Sequence, residues 1–114
     1  MILVNQNNFL TYNNKIYKCS LGLNGLNKTK KEGDKSTPIG IFSLGNLFVR
    51  TDRIKNLKTN FHYISIEKTM AWSDDPNSKD YNKLIKVNSD HREIMFRNDH
   101  MYDLILLTYC NLCY

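Results

Sequence analysis

A mainly β fold is the expectation for this 114-residue chain, and three observations carry it. Short apolar runs rich in β-branched and aromatic residues are punctuated by Asn, Gly and Pro. No stretch shows the apolar repeat of an amphipathic helix. Turn residues recur at intervals that bound strands rather than helices. Hydrophobic residues make up 41% of the chain, enough for one modest core, and the length fits a single domain over residues 1–114.

The elements follow in order. Phe9–Tyr12 and residues 16–21 flank Asn13-Asn14. Asparagine tolerates φ > 0, so the pair predicts a tight hairpin. Gly22 and Gly25 close that unit, and a basic loop over residues 28–35 follows. Within it Gly33 offers a left-handed position between Glu32 and Asp34. Pro38 drives Thr37 into an extended conformation and can only begin a strand or sit at an edge. Gly40 lets another backbone or a ligand come close. A strand over residues 39–44 would place Phe42 and Leu44 on one face, Ile41 and Ser43 on the other. Residues 47–57 could hold a short turn. Residues 63–66 predict a strand, 72–82 a polar loop around Pro76, 93–97 a strand with weak alternation, and 102–109 a buried apolar strand.

The net charge is +5, which would attract anionic partners. The lysines are scattered rather than aligned on one face, and Asn, Lys, Ile and Tyr all have A/T-rich codons. Compositional bias therefore explains the charge, and nucleic-acid binding is not expected. Cys19 lies in a strand-like run and is expected to pack as a small hydrophobe. Cys110 and Cys113 form a lone C-x-x-C, without the second pair or the histidines that zinc requires. No metal and no cofactor is expected. No apolar run is long enough to cross a membrane. The first residues lack the basic and apolar regions of a signal peptide, so the expected compartment of the chain as written is the cytoplasm.

Read as E-G-D-x-x-T-P-x-G-x-F, the segment from Glu32 to Phe42 resembles a signature of the L,D-transpeptidase catalytic domain. This YkuD-like bacterial family cross-links peptidoglycan. Cys19 to Gly25 resembles its C-x-L-G-x-x-G strand and turn. Arg50-Thr51-Asp52-Arg53 resembles the R-x-D-R element of one branch. Trp72-Ser73-Asp74-Asp75-Pro76 with Tyr81-Asn82 resembles that branch's W-x-D-D-P and Y-N pair. Glu93, Arg97, Asp99 and Tyr102-Asp103 resemble its E-x-x-x-R-x-D-x-x-Y-D run. The matches come in family order and cover nearly the whole chain.

The resemblance implies a β-sandwich-like L,D-transpeptidase fold. It also implies a chemistry in which a cysteine thiolate attacks a diaminopimelate carbonyl of a stem peptide and passes the acyl group to an amine on a neighbouring stem. That chemistry needs a thiol beside a histidine, and backbone N–H groups for the oxyanion. The family carries them in a late segment, and here the sequence departs from it. No Gly precedes Cys110 or Cys113, and no His lies between the last apolar run and these cysteines. His91 and His100 fall upstream. The expectation is a fold incomplete at its C-terminus with no catalytic residue of its own, binding stem peptides or completed by a second chain or copy.

The candidate binding or loop-shaping residues are Glu32, Gly33, Asp34, Thr37, Pro38, Gly40, Trp72, Asp74 and Asp75. Glu32 and Asp34 would bond turn amides or meet a cationic stem peptide, with the turn favoured by the framing Gly and Pro. Trp72, Asp74 and Asp75 would line a groove or anchor an Asx-type turn before Pro76. Arg50, Asp52, Arg53 and Asp99 are expected to form ion pairs that fix loops, contributing little if exposed.

Overall fold

The computed structural model describes residues 1–87 and 92–113, and every regular element among them is a β-strand. The mainly β expectation holds. The chain divides into two compact units, one over residues 1–42 with the chain from Cys110, the other over residues 43–109.

The first unit opens with an antiparallel meander of β1 (Leu3–Val4), β2 (Phe9–Tyr12) and β3 (Lys15–Lys18). Asn13 and Asn14 have φ of 48° and 59°, both left-handed, as a two-residue hairpin with the right-handed strand twist requires. The register follows, with Tyr12 opposite Lys15 and Phe9 opposite Lys18. β3 is shorter than the expected strand over 16–21, because the chain leaves the ladder after Cys19 donates to the Asn8 carbonyl at 2.9 Å. None of the three strands contributes a buried residue. Their apolar side chains are divided between both faces, so neither face gathers a core.

A parallel pair follows, β4 (Leu26–Asn27) and β5 (Thr37–Pro38), with Asn27 opposite Pro38. A two-stranded ladder has a free side, which is where a residue without an N–H can sit. Gly22 packs against this pair. A Cβ there would lie 2.4 Å from the Lys35 carbonyl oxygen and 2.7 Å from the Ser36 Cα. Its N–H donates to Thr37 Oγ1 at 2.8 Å. A close backbone approach is thus made at Gly22, and Gly40 opens β6 (Gly40–Val49).

β6 lies between β11 (Leu104–Cys113) and β7 (Tyr63–Ser65), with residues 43–49 of β6 and 104–109 of β11 in the second unit. β7 runs parallel to it, with Phe48 opposite Ile64. A second sheet places β8 (Met70–Ser73) between β9 (Leu84–Lys86) and β10 (Arg92–Ile94). Buried Phe48, Ile66 and Met95 form the core, joined by Met70, Trp72, Phe96, Ile105 and Leu107. Both sheets of this unit therefore feed one core.

Two expectations are corrected here. The run over 102–109 is not a buried strand. Ile105 and Leu107 turn inward while Leu104 and Tyr109 stay about half exposed, at 49% and 53%. Apolar residues occupy both faces of this strand, and only one face has a packing partner. Trp72 is not in a loop either but on β8, where Ala71 and Ser73 are buried; the polar loop begins at Asp74. The strand expected from 39 to 44 extends to Val49, and the turn foreseen in 47–57 falls at residues 51–53, where the Arg53 N–H donates to the Arg50 carbonyl at 2.9 Å. No helix is long and apolar enough to cross a membrane among the described residues.

The backbone contact at Gly22 gives a direct test. Gly22→Ala is expected to destabilise the protein by about 1–3 kcal/mol, the usual penalty for forced overpacking. Urea unfolding would show it, and an unchanged midpoint would refute the contact.

Candidate functional site

The sequence candidates fall into two groups, one in each unit. In the first unit Asp34 organises its own loop. Its Oδ2 accepts from the Lys31 N–H at 2.8 Å, and its Oδ1 from the Ser36 N–H at 2.9 Å. Lys30 Nζ reaches Oδ1 at 2.5 Å. Gly33 and Lys35 on either side have φ of 77° and 54°, so the carboxylate stabilises a chain path that its neighbours alone disfavour. The Lys30 ammonium, followed by the amide bonds, holds the Asp34 carboxyl far below the ordinary carboxylate range. Thr37 accepts from Gly22, and Pro38 ends β5. Glu32 is exposed at the loop tip. This loop is shaped by its candidate residues, as the turn interpretation anticipates.

In the second unit Trp72 donates from Nε1 to Asn82 Oδ1 at 2.9 Å, joining the W-x-D-D-P and Y-N segments. Asn82 itself has φ of 58°. Asp75 Oδ1 accepts from the Asn77 N–H at 2.9 Å, and its carbonyl accepts from the Ser78 N–H at 3.0 Å, an Asx turn just after β8. Asp74 is exposed. Asp75, Ser73, Ser78, Asp80 and Lys86 line an open polar cavity of about 380 Å³. A second cavity of about 240 Å³ is lined by Trp72, Glu93, Met95, Tyr102, Ile105 and Leu107. It is mostly apolar, and the Tyr102 hydroxyl donates to Glu93 Oε1 beside it.

The ion pairs expected of Arg50 and Arg53 are present, to Asp52 and to Asp103, within a wider network of carbonyl contacts. Arg50 is 3% exposed, not a surface ion pair. Its Nε and Nη2 donate to the two Asp52 oxygens at 2.8 and 2.7 Å, and its Nη1 to the Arg97 carbonyl at 2.5 Å. The guanidinium lies 3.6 Å above the Phe96 ring centroid, a desolvated cation–π contact. Arg53 donates to the carbonyls of Arg97, Asn98 and Asp99 at 3.1, 2.8 and 2.6 Å, and to Asp103 Oδ1 at 2.8 Å. Arg97 in turn grips Asp99 through Nε and Nη2. Two planar forks thus satisfy a row of loop carbonyls that no strand can reach. The charges were legible in sequence. Their carbonyl partners lie more than 40 residues away and carry no side-chain signal.

His100 Nδ1 lies 2.7 Å from Asp103 Oδ2, and that carboxylate also holds Arg53. The His100 contact, then Arg53, lowers the Asp103 carboxyl. This histidine–carboxylate pair was not foreseen. Its histidine is 81% exposed, and no described thiol accompanies it. Cys19 is a half-buried free thiol in the first unit, and His91 lies outside the described residues. No cluster of three or more His, Cys, Asp or Glu able to hold a metal occurs among the described residues.

Comparison with known protein families, with curated proteins and with solved structures finds no match.

The arginine clamps make stability sensitive to acid. Arg50 pulls the Asp52 carboxyl from 3.8 to about 2, and Arg97, then the Met101 amide, does the same for Asp99. Carboxyls depressed on folding stabilise the native state above their unfolded pKa, and that stability is lost as pH falls through the folded value. Melting temperature is expected to fall steeply between about pH 4 and pH 2. Arg50→Lys, which cannot reproduce the fork, should melt several degrees lower at pH 7 and show a flatter acid dependence. Parallel pH profiles of the two proteins would refute the clamp.

Proposed function

We propose that this chain is an L,D-transpeptidase-like domain with that β-sandwich-like fold, and that it holds peptidoglycan stem peptides without itself transferring the acyl group. One observation carries the proposal. The segments that resemble the family's scattered motifs are in direct contact through the motif residues themselves. Trp72 meets Asn82, Tyr102 meets Glu93, and Arg50 and Arg53 clamp the segment from Arg97 to Asp103. Residues matched one by one in sequence thus behave as a set.

On this reading the carboxylates and the aromatic residues bind rather than react. Asp74, Asp75 and Glu93 present negative charge to the amines of a stem peptide, and Trp72 offers an apolar surface beside them. Acyl transfer requires a thiolate with a histidine within hydrogen-bond reach, and the described residues bring no such pair together.

Calorimetric titration with tetrapeptide muropeptides should give saturable heat that weakens in Trp72→Phe and Asp75→Asn proteins. Absence of heat at millimolar ligand would end the binding proposal. Release of D-Ala or formation of cross-links by the purified chain would end the claim of inactivity.

The same reading proposes a second copy as partner. β11 is an edge of its sheet among the described residues and exposes Leu104, Leu106 and Tyr109. Long apolar edges template pairing with another chain. Sedimentation should show association that falls in Leu106→Lys. A monomer at all concentrations would refute it.

A further inference from the structure

We infer that the N-terminal meander is a docking surface for an anionic lipid bilayer, which it meets from one side without crossing. The strand register sorts its side chains into two faces. Val4, Leu10 and Tyr17 stand in one row across β1, β2 and β3, with Tyr12 and Lys15 in a further row of the same face. Leu3, Thr11 and Ile16, then Phe9 and Lys18, make the opposite face. On this second face Ile16 is 70% exposed and Leu3 56%, and Phe9 is exposed beside them. An aliphatic and aromatic cluster left this open marks a contact surface rather than a core.

Charge selects what this surface meets. Residues 1–42 carry six lysines against Glu32 and Asp34, so they hold +4 of the chain's net +5. Compositional bias alone would spread that excess over both units. Lys15 and Lys18 stand exposed at the two ends of β3, and the other four lysines lie in the loop after β4. Lys18 is directly opposite Phe9, so a positive charge and apolar surface are presented on one face. Lysine buries its alkyl stem along apolar groups and keeps its ammonium at the level of lipid headgroups. Each lysine near an anionic leaflet raises affinity about fivefold. Nucleic acid would use the charge but leave the apolar face in water.

A second copy of the chain is the competing occupant. It would bring the same positive charge to the contact. The sheet edges are also poor templates for it, since β1 is two residues long and β3 begins and ends in lysine. Short edge strands and edge lysines both oppose pairing with another chain. What complements the face is a partner negative at its surface and apolar beneath it, as a lipid leaflet is. The inference concerns the first unit alone. Vesicle binding can hold where stem-peptide binding fails, and the reverse, so the two are separately testable.

Co-sedimentation of the full chain with vesicles at pH 7 tests this. Mixed phosphatidylcholine–phosphatidylglycerol vesicles should pellet the protein. Pure phosphatidylcholine vesicles should bind about 25-fold more weakly, two lysines at about fivefold each, and high salt should weaken binding to the anionic vesicles. Ile16→Thr keeps a β-branched residue at an exposed strand position and should bind about tenfold more weakly, because part of the apolar burial is lost. Lys58→Gln, at an exposed position of the second unit, should bind as the unmodified chain does. Equal binding to the two vesicles, binding to neither, or undiminished binding by Ile16→Thr would overturn the inference. So would pelleting without vesicles that Ile16→Thr abolishes, which would make a second copy the occupant. Binding to duplex DNA but to neither vesicle would overturn it in favour of nucleic acid. The comparison of the two vesicles decides the question on the unmodified protein if Ile16→Thr fails to fold.

Discussion

A guanidinium buried at the end of a strand must find partners for all its donors, because burying an unpaired charge is prohibitive. Arg50 solves this by reaching both Asp52 and the carbonyl of Arg97, with Phe96 beneath it. Its own N–H donates to the Asp103 carbonyl at 2.9 Å. The end of β6 is thereby pinned to the segment that leads into β11. Arg53 repeats the device one turn later on the next carbonyls. The placement of Tyr102, Ile105 and Leu107, and so of one wall of the apolar cavity, depends on this pinning.

Local features of the fold were legible because their causes are local. Asn13-Asn14 specifies its turn through φ, Pro38 restricts the residue before it, and short apolar runs mark strands. The asparagines illustrate a subtler case. Their abundance looks compositional, yet Asn8, Asn13, Asn14, Asn56 and Asn82 all take left-handed φ, doing what glycine does elsewhere. The remainder was not legible because its causes are distant. Gly22 is required by a backbone that returns more than ten residues later, which nothing near it announces. Likewise β9 is too short and too mixed to stand out, and the one-sided exposure of β11 depends on which face meets a partner.

The candidate site shows the same division. Asp34 bonds the amides of its own loop and Asp75 forms an Asx turn, the loop-shaping alternative that the sequence left open beside ligand binding. Both carboxylates accept hydrogen bonds from amides of their own loops, which fixes their orientation. The feature that sequence missed is the pairing of Trp72 with Glu93, 21 positions apart and joined only by strand register. Register is a property of the assembled sheet, so no inspection of either segment alone would reveal it.

The N-terminal meander has another consequence. It contributes no buried side chain, so its persistence rests on ladder hydrogen bonds and on the conformations of Asn13 and Asn14. A sheet held in this way opens at low free energy, and its amides should exchange with solvent long before those around Phe48. Most of its side chains are exposed. Substitutions there perturb little, so this part of the chain can change its surface chemistry over generations while the turn keeps the register intact.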